Sequence, residues 1–245
     1  MNAWLNTLAR RSADRTGRSQ PMAEPLWLEW LALGGLLVFA SWLLGVRGVW
    51  ALLLGADPTG LTMVIVAVFA GATFWAGGRS RELDTQRRHL LAARAGAPLA
   101  ELPGWVGEYL RALAAAPRDT AAPLDVLLEA SHGPHQTAWW VNGIQLKLGL
   151  LGKVIGFSVL ALQIGQMQSF DATQSQDLLK SLTSGLGIAL LTTMVGLVGN
   201  ILLGLQLTRL DRAADTLVAD CQREGLRRAA PPAEAAPSAS PAAAA

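Results

Sequence analysis

Four stretches of this chain stay apolar and nearly uncharged for about the 20 residues that a helix needs to cross the hydrocarbon of a bilayer. They run over residues 26–46, 61–77, 148–167 and 186–207. The first holds one charge, Glu29, near its start. The second is short but uncharged, with Trp75 close to its end. The third holds Lys153, and the fourth holds no charge at all. The expected fold is all-α: a polytopic membrane protein with four transmembrane helices and helical extensions beyond them.

Composition agrees with this reading. Only 16% of the residues are charged and 51% are hydrophobic, against about 25% charged in an ordinary soluble domain. The deficit sits inside the four stretches. The first stretch is longer than the roughly 7–15 apolar residues of a cleavable leader, so it reads as an anchor that stays in the protein. The lone cysteine, Cys221, excludes an intrachain disulfide and reads as a free thiol in a polar C-terminal tail.

Basic residues give the orientation. Residues 1–25, 79–147 and those after 208 hold 17 of the 20 Lys and Arg. With four spans these segments share one side, which the positive-inside rule makes the cytoplasm. Both ends are therefore expected in the cytoplasm of a bacterial inner membrane. Because the arginines flank apolar segments, the expected partner for them is anionic lipid headgroups rather than nucleic acid.

The domain reading follows the same marks. Residues 1–25 form an N-terminal cytoplasmic segment, in which 1–12 read either as a surface-lying helix or as a frayed end. Residues 26–78 form a first transmembrane hairpin, turning at Asp57-Pro58. Residues 79–146 form a cytoplasmic helical insert: a continuation of span two over 81–94, then short helices over 105–115 and 123–130. Residues 147–208 form a second transmembrane hairpin. Residues 209–228 form an amphipathic helix with Leu210, Ala213, Ala214, Leu217 and Val218 as its apolar stripe. Residues 229–245, nearly all Ala, Pro and Ser, read as a disordered tail.

Little in the chain suggests enzyme chemistry. His132-Gly-Pro-His135 has a spacing that a metal could use but no third ligand nearby, and reads as a loop before a span. No phosphate loop, nucleophile elbow or pair of span carboxylates is present, so neither an enzyme nor a cofactor is expected.

Spans three and four carry the pattern that asks for an explanation. On one face of span three lie Gly149, Lys153, Gly156, Leu160 and Gln163, with Gly152 beside them. On one face of span four lie Gly185, Ala189, Thr192, Gly196, Gly199 and Gln206, with Thr193 and Asn200 in an adjacent stripe. Glycines at such spacing let membrane helices approach closely. The grouping of Gln163, Thr192, Thr193 and Asn200 points to a polar lumen. Two readings of Lys153 stand together. A span lysine marks a functional site by default, and one six residues, or about 9 Å, beyond Lys147 can also reach back to the headgroups.

Gly149-Leu-Leu-Gly-Lys-Val-Ile-Gly156 and the run from Gly187 to Leu197, continuing through Asn200, resemble the MotA/TolQ/ExbB proton-channel family. The resemblance covers about residues 143–217. It implies a homopentameric ring around two single-span partners of the MotB/TolR/ExbD type, each bringing a membrane aspartate. Spans three and four would line the lumen, and proton flow would drive movement of the ring against the partner. Thr193 matches the family's lumen threonine. Lys153 stands where the family has a threonine, and the last span lacks the glutamate of ExbB-like members. A non-conducting scaffold that recruits partners through its cytoplasmic helices is the competing expectation.

Overall fold

A computed structural model describes residues 26–57, 59–116, 120–165 and 172–229. The expected surface helix at 1–12 and the tail beyond residue 229 lie outside them. The described chain forms α1 (Leu26–Val46), α2 (Val49–Ala56), α3 (Leu61–Arg94), a single 3-10 turn (Leu99–Glu101), α4 (Gly104–Ala115), α5 (Ala121–Gly165) and α6 (Ala172–Ala229). Among the described residues there is no strand. Helices α1, α3, α5 and α6 are each long and apolar enough to cross a membrane. The protein is a polytopic all-α membrane protein.

Length decides how much of each helix the bilayer can hold. At 1.5 Å per residue, α3, α5 and α6 extend about 50, 70 and 85 Å, whereas the hydrocarbon is about 30 Å thick. All three project beyond it at the same end, where Arg79, Arg81, Arg87, Arg88, Arg209 and Arg212 cluster. This is called the basic end below. Here the structure departs from the sequence reading. Residues 123–130 are not a separate short helix, and His132-Gly-Pro-His135 is not a loop; both lie within the unbroken α5, with Pro134 inside the helix. Residues 209–228 likewise continue α6 without a joint.

At the opposite end, span one does not turn directly at Asp57-Pro58. Gly48, with φ 73°, reverses the chain into the two-turn α2 first, a conformation that favours glycine. Asp57 then accepts the backbone N–H of Thr59 at 3.0 Å and that of Thr62 at 2.6 Å, closing the first turn of α3. Burial pushes the Asp57 pKa up, but these bonds outweigh it and hold the carboxyl below its usual range.

At the basic end, α3, α4, α5 and α6 close around a leucine-rich core. It includes Leu83 and Leu90 of α3, Leu110 of α4, Leu127 of α5, and Leu207 and Leu217 of α6. Cys221 belongs to this core and is fully buried, not in a polar tail. Burial pushes its thiol up to about 12. A clasp of ions finishes the bundle. Buried Glu224 meets Arg227 at 2.8 Å and Arg228 at 2.6 Å, and Arg94 meets Asp220 at 3.3 Å.

Helix α1 is held differently. None of its residues is buried, and its described polar contacts lie at the basic end and near the outer turn. Asp84 of α3 accepts the N–H groups of Leu26 and Trp27 at 3.1 and 2.7 Å, capping the positive end of the α1 dipole. Trp30 donates to the Thr73 carbonyl at 3.2 Å, and its ring fills the space that a side chain at Gly77 would need.

Candidate functional site

Helices α5 and α6 run antiparallel and pack along one continuous seam. The buried stripe of α5 is Leu127, Ser131, His135, Ala138, Asn142, Gln145, Gly149, Gly152 and Gly156. From Ser131 on, its steps alternate between four and three residues, the heptad spacing that keeps one face on a partner helix. In the membrane half the two backbones nearly touch. A Cβ at Gly196 would lie 2.8 Å from the Gln145 carbonyl, and one at Gly156 would lie 2.7 Å from the Gly185 carbonyl. Gly149 faces Thr192, Thr193 and Gly196; Gly152 faces the Thr192 side chain; Gly199 lies under the Gln145 amide.

The residues singled out from sequence are thus divided between the seam and the outside. On α6 the expected face is intact: Gly185, Ala189, Thr192, Gly196, Gly199 and Gln206 are all buried. Thr192 is fully buried, and its hydroxyl donates to the Ile188 carbonyl at 2.8 Å, a bond within its own helix. On α5 the expected face splits. Gly149, Gly152 and Gly156 are in the seam, whereas Lys153 and Gln163 are exposed. The sequence grouping allowed each residue about 40° either side of Gly149 at 100° per residue, which is wide enough to mix seam and flank.

Thr193 and Asn200 are half-buried at the seam's edge. Thr193 donates to the Ala189 carbonyl at 2.7 Å and to Gly149 at 3.2 Å, and Asn200 donates to the Asn142 carbonyl at 2.8 Å. The helices are antiparallel, so the flank of α6 that bears Thr193 and Asn200 looks the same way as the flank of α5 that bears Lys153. The opposite flank belongs to α3, where Thr73 receives a bond from Gln206 at 3.2 Å and Phe69 lies near Gly199. The pair is therefore a plate with one face covered by α3 and one face presenting Lys153, Thr193 and Asn200. Along the seam, the Asn142 side-chain oxygen and both polar atoms of the Gln145 amide are buried without a partner among the described residues.

A second polar cluster lies where the plate leaves the apolar stretch at the basic end. His135 is 2% exposed. Its Nδ1 lies 2.7 Å from Asp211 Oδ1, and Trp139 donates to Asp211 Oδ2 at 2.8 Å. Arg79 of α3 reaches in and donates its Nε–H to His135 Nε2 at 3.3 Å. Its Nη2 donates to the carbonyls of Ala130 at 2.6 Å and Ser131 at 2.8 Å, and its Nη1 pairs with Glu82 at 2.6 Å. His132 meets Asp215 at 3.0 Å. Sequence reading took the two histidines as loop residues because Pro134 lies between them. The available signal was phase: His135 stands on the same heptad stripe as Asn142, Gln145 and Gly149.

The fold and the plate define a four-span all-α membrane protein with a polar face on its second hairpin. No family model, curated protein or solved structure matches the chain.

Proposed function

We propose that the chain is the ring subunit of an ion-driven, and specifically proton-driven, membrane motor. In this reading five copies stand with α1 and α3 toward lipid and the α5–α6 plates toward a common axis. The basic end lies in the cytoplasm of a bacterial inner membrane, an orientation that the arginine distribution supports. A single-span partner of the MotB/TolR/ExbD type occupies the axis and brings the aspartate that carries the proton.

One observation supports this reading above the others: the face of the plate that α3 leaves free is the face that carries Lys153, Thr193 and Asn200. An ammonium within a span marks a functional site by default. Inside a ring, Lys153 meets the partner's carboxylate, each group offsetting the other's desolvation. The resemblance of spans three and four to the MotA/TolQ/ExbB family points the same way. The glycine seam brings the two backbones of the plate into close contact, as joint movement of the pair would need.

The leucine-cored bundle at the basic end supports a second reading, a non-conducting scaffold that binds partners there. Native mass spectrometry of the protein co-expressed with a neighbouring single-span protein separates the two. A pentamer holding two partner copies is expected, with altered ion flux in Lys153→Thr and Lys153→Met. A monomer or dimer overturns the motor reading, and unchanged coupling in both variants overturns the pairing of Lys153 with the partner's acid.

A further inference from the structure

Pro134 has no N–H, so the carbonyl four residues earlier, Ala130, loses its helical donor. In this structure Arg79 supplies the missing donor from another helix, at 2.6 Å. The same guanidinium fixes the state of the neighbouring imidazole. An arginine can only donate, so His135 Nε2, which receives the Arg79 Nε–H, must carry its lone pair. The proton of neutral His135 is then on Nδ1, where it donates to Asp211. The arrangement accepts one protonation state. A proton on Nε2 would set N–H against N–H and cation against cation.

We propose that His135 is a proton-binding site that latches α3 to the α5–α6 plate: neutral, it holds Arg79 on the Pro134 turn, and protonated, it expels Arg79 and frees that turn. The charged groups around it are Arg79 and Glu82 on α3, His132 on α5, and Asp211 and Asp215 on α6. Of these, Asp211 favours the imidazolium and Arg79 opposes it. Burial is the largest influence and also opposes the charge, so the pKa of His135 lies below its usual value. Releasing Arg79 costs its bonds to Ala130 and Ser131, leaving the Ala130 carbonyl bare at the Pro134 turn, the kind of place where a helix bends most readily.

Protons have a route to the site. Asp211 is 31% exposed at its side chain and lies eleven residues, about three turns, beyond Asn200 on the same flank of α6. The latch follows from geometry alone. A role in receiving protons that leave the lumen rests in addition on the motor reading.

The test uses the full-length protein in lipid nanodiscs, and needs no ion flux. Histidine-selective 15N NMR, with assignment by His135→Gln, reads the tautomer. The Nδ1–H form is expected at pH 8, giving way to imidazolium on acidification. Hydrogen exchange of peptides covering residues 126–138, corrected for intrinsic rate, is followed over the same range. Exchange is expected to accelerate by up to about tenfold per pH unit as pH falls from the ordinary histidine range toward the lowered His135 midpoint, and to level off below it, as linkage to one proton requires. Gln at 135 can accept from Arg79 and donate to Asp211 at every pH, so His135→Gln should remove the acceleration while His132→Gln keeps it. An Nε2–H tautomer at pH 8 in the wild-type protein overturns the latch. So does exchange that stays flat through the His135 titration. Either result would leave the pentamer and flux predictions untouched.

Discussion

The same two helices are joined in two different ways along their length. In the membrane half of the seam, α6 contributes Gly185, Ala189, Thr192, Gly196 and Gly199. From Leu203 onward, where the step pattern takes one extra residue before Leu207, it contributes Leu203, Leu207, Leu210, Ala214 and Leu217. The change follows the solvent. In lipid, moving a leucine from acyl chains into a helix interface gains almost nothing, so the helices bind by close backbone approach through small residues. In water, burying leucine is the dominant favourable term. One continuous helix thus serves two kinds of adhesion, one strengthened by removing side chains and the other by adding them.

Alanine substitutions break the comparison most directly, because they remove side chain from one half and add it to the other. Leu207→Ala empties a fully buried position and should destabilise by about 2–5 kcal/mol, measured by thermal unfolding in detergent. Gly196→Ala adds a methyl group 2.8 Å from the Gln145 carbonyl and should cost about 1–3 kcal/mol. If Gly196→Ala proves neutral, the membrane half is not held by backbone approach. The third effect is smaller and depends on pH. Burial raises the pKa of Glu224, but its hydrogen bonds with Arg227 and Arg228 more than offset this, so its carboxyl lies below its usual range. It therefore stabilises the basic-end bundle above its unfolded pKa, and that contribution is lost as pH falls through the folded value. Glu224→Gln should flatten the acid limb of a stability-against-pH curve. The loss near neutrality should be only about 1 kcal/mol, since both arginines are partly solvated. Smallest of all, Leu197→Ala on the exposed flank of α6 should change the midpoint by less than about 0.5 kcal/mol. A larger loss would mean that another helix covers that flank.

Cysteine chemistry sharpens the same contrast. Cys221 is completely buried in the leucine core and its thiol is pushed up to about 12. The folded protein should resist maleimide at pH 7.5 and react once denatured. Rapid labelling of the native protein would show that the bundle opens.

The spans and the buried face of α6 were legible in the sequence because hydropathy and helical phase are properties of one segment. Gly185, Thr192, Gly196 and Gln206 fall on one face by counting alone, and the structure buries them all. What escaped depended on a second segment. Pro134 looked like a break because its lost hydrogen bond is visible in sequence, whereas the replacement donor, Arg79, is 55 residues away in the chain. Lys153 shared a phase with the glycines to within one helix quadrant, and only the partner helix decides which part of that quadrant is covered. Cys221 sits in an amphipathic stretch whose apolar stripe is readable, but what that stripe packs on is not, because the core it meets is built from α3 and α4.

Helix α6 has no joint at the membrane boundary, and that makes it a lever. A rod about 85 Å long that tilts by one degree about one end carries the other end through about 1.5 Å. Angular changes too small to break a single contact around Lys153 would therefore arrive at the Glu224 clasp as displacements comparable to half a hydrogen bond's length. The far end of this helix is where a small motion in the bilayer becomes large enough for another molecule to feel.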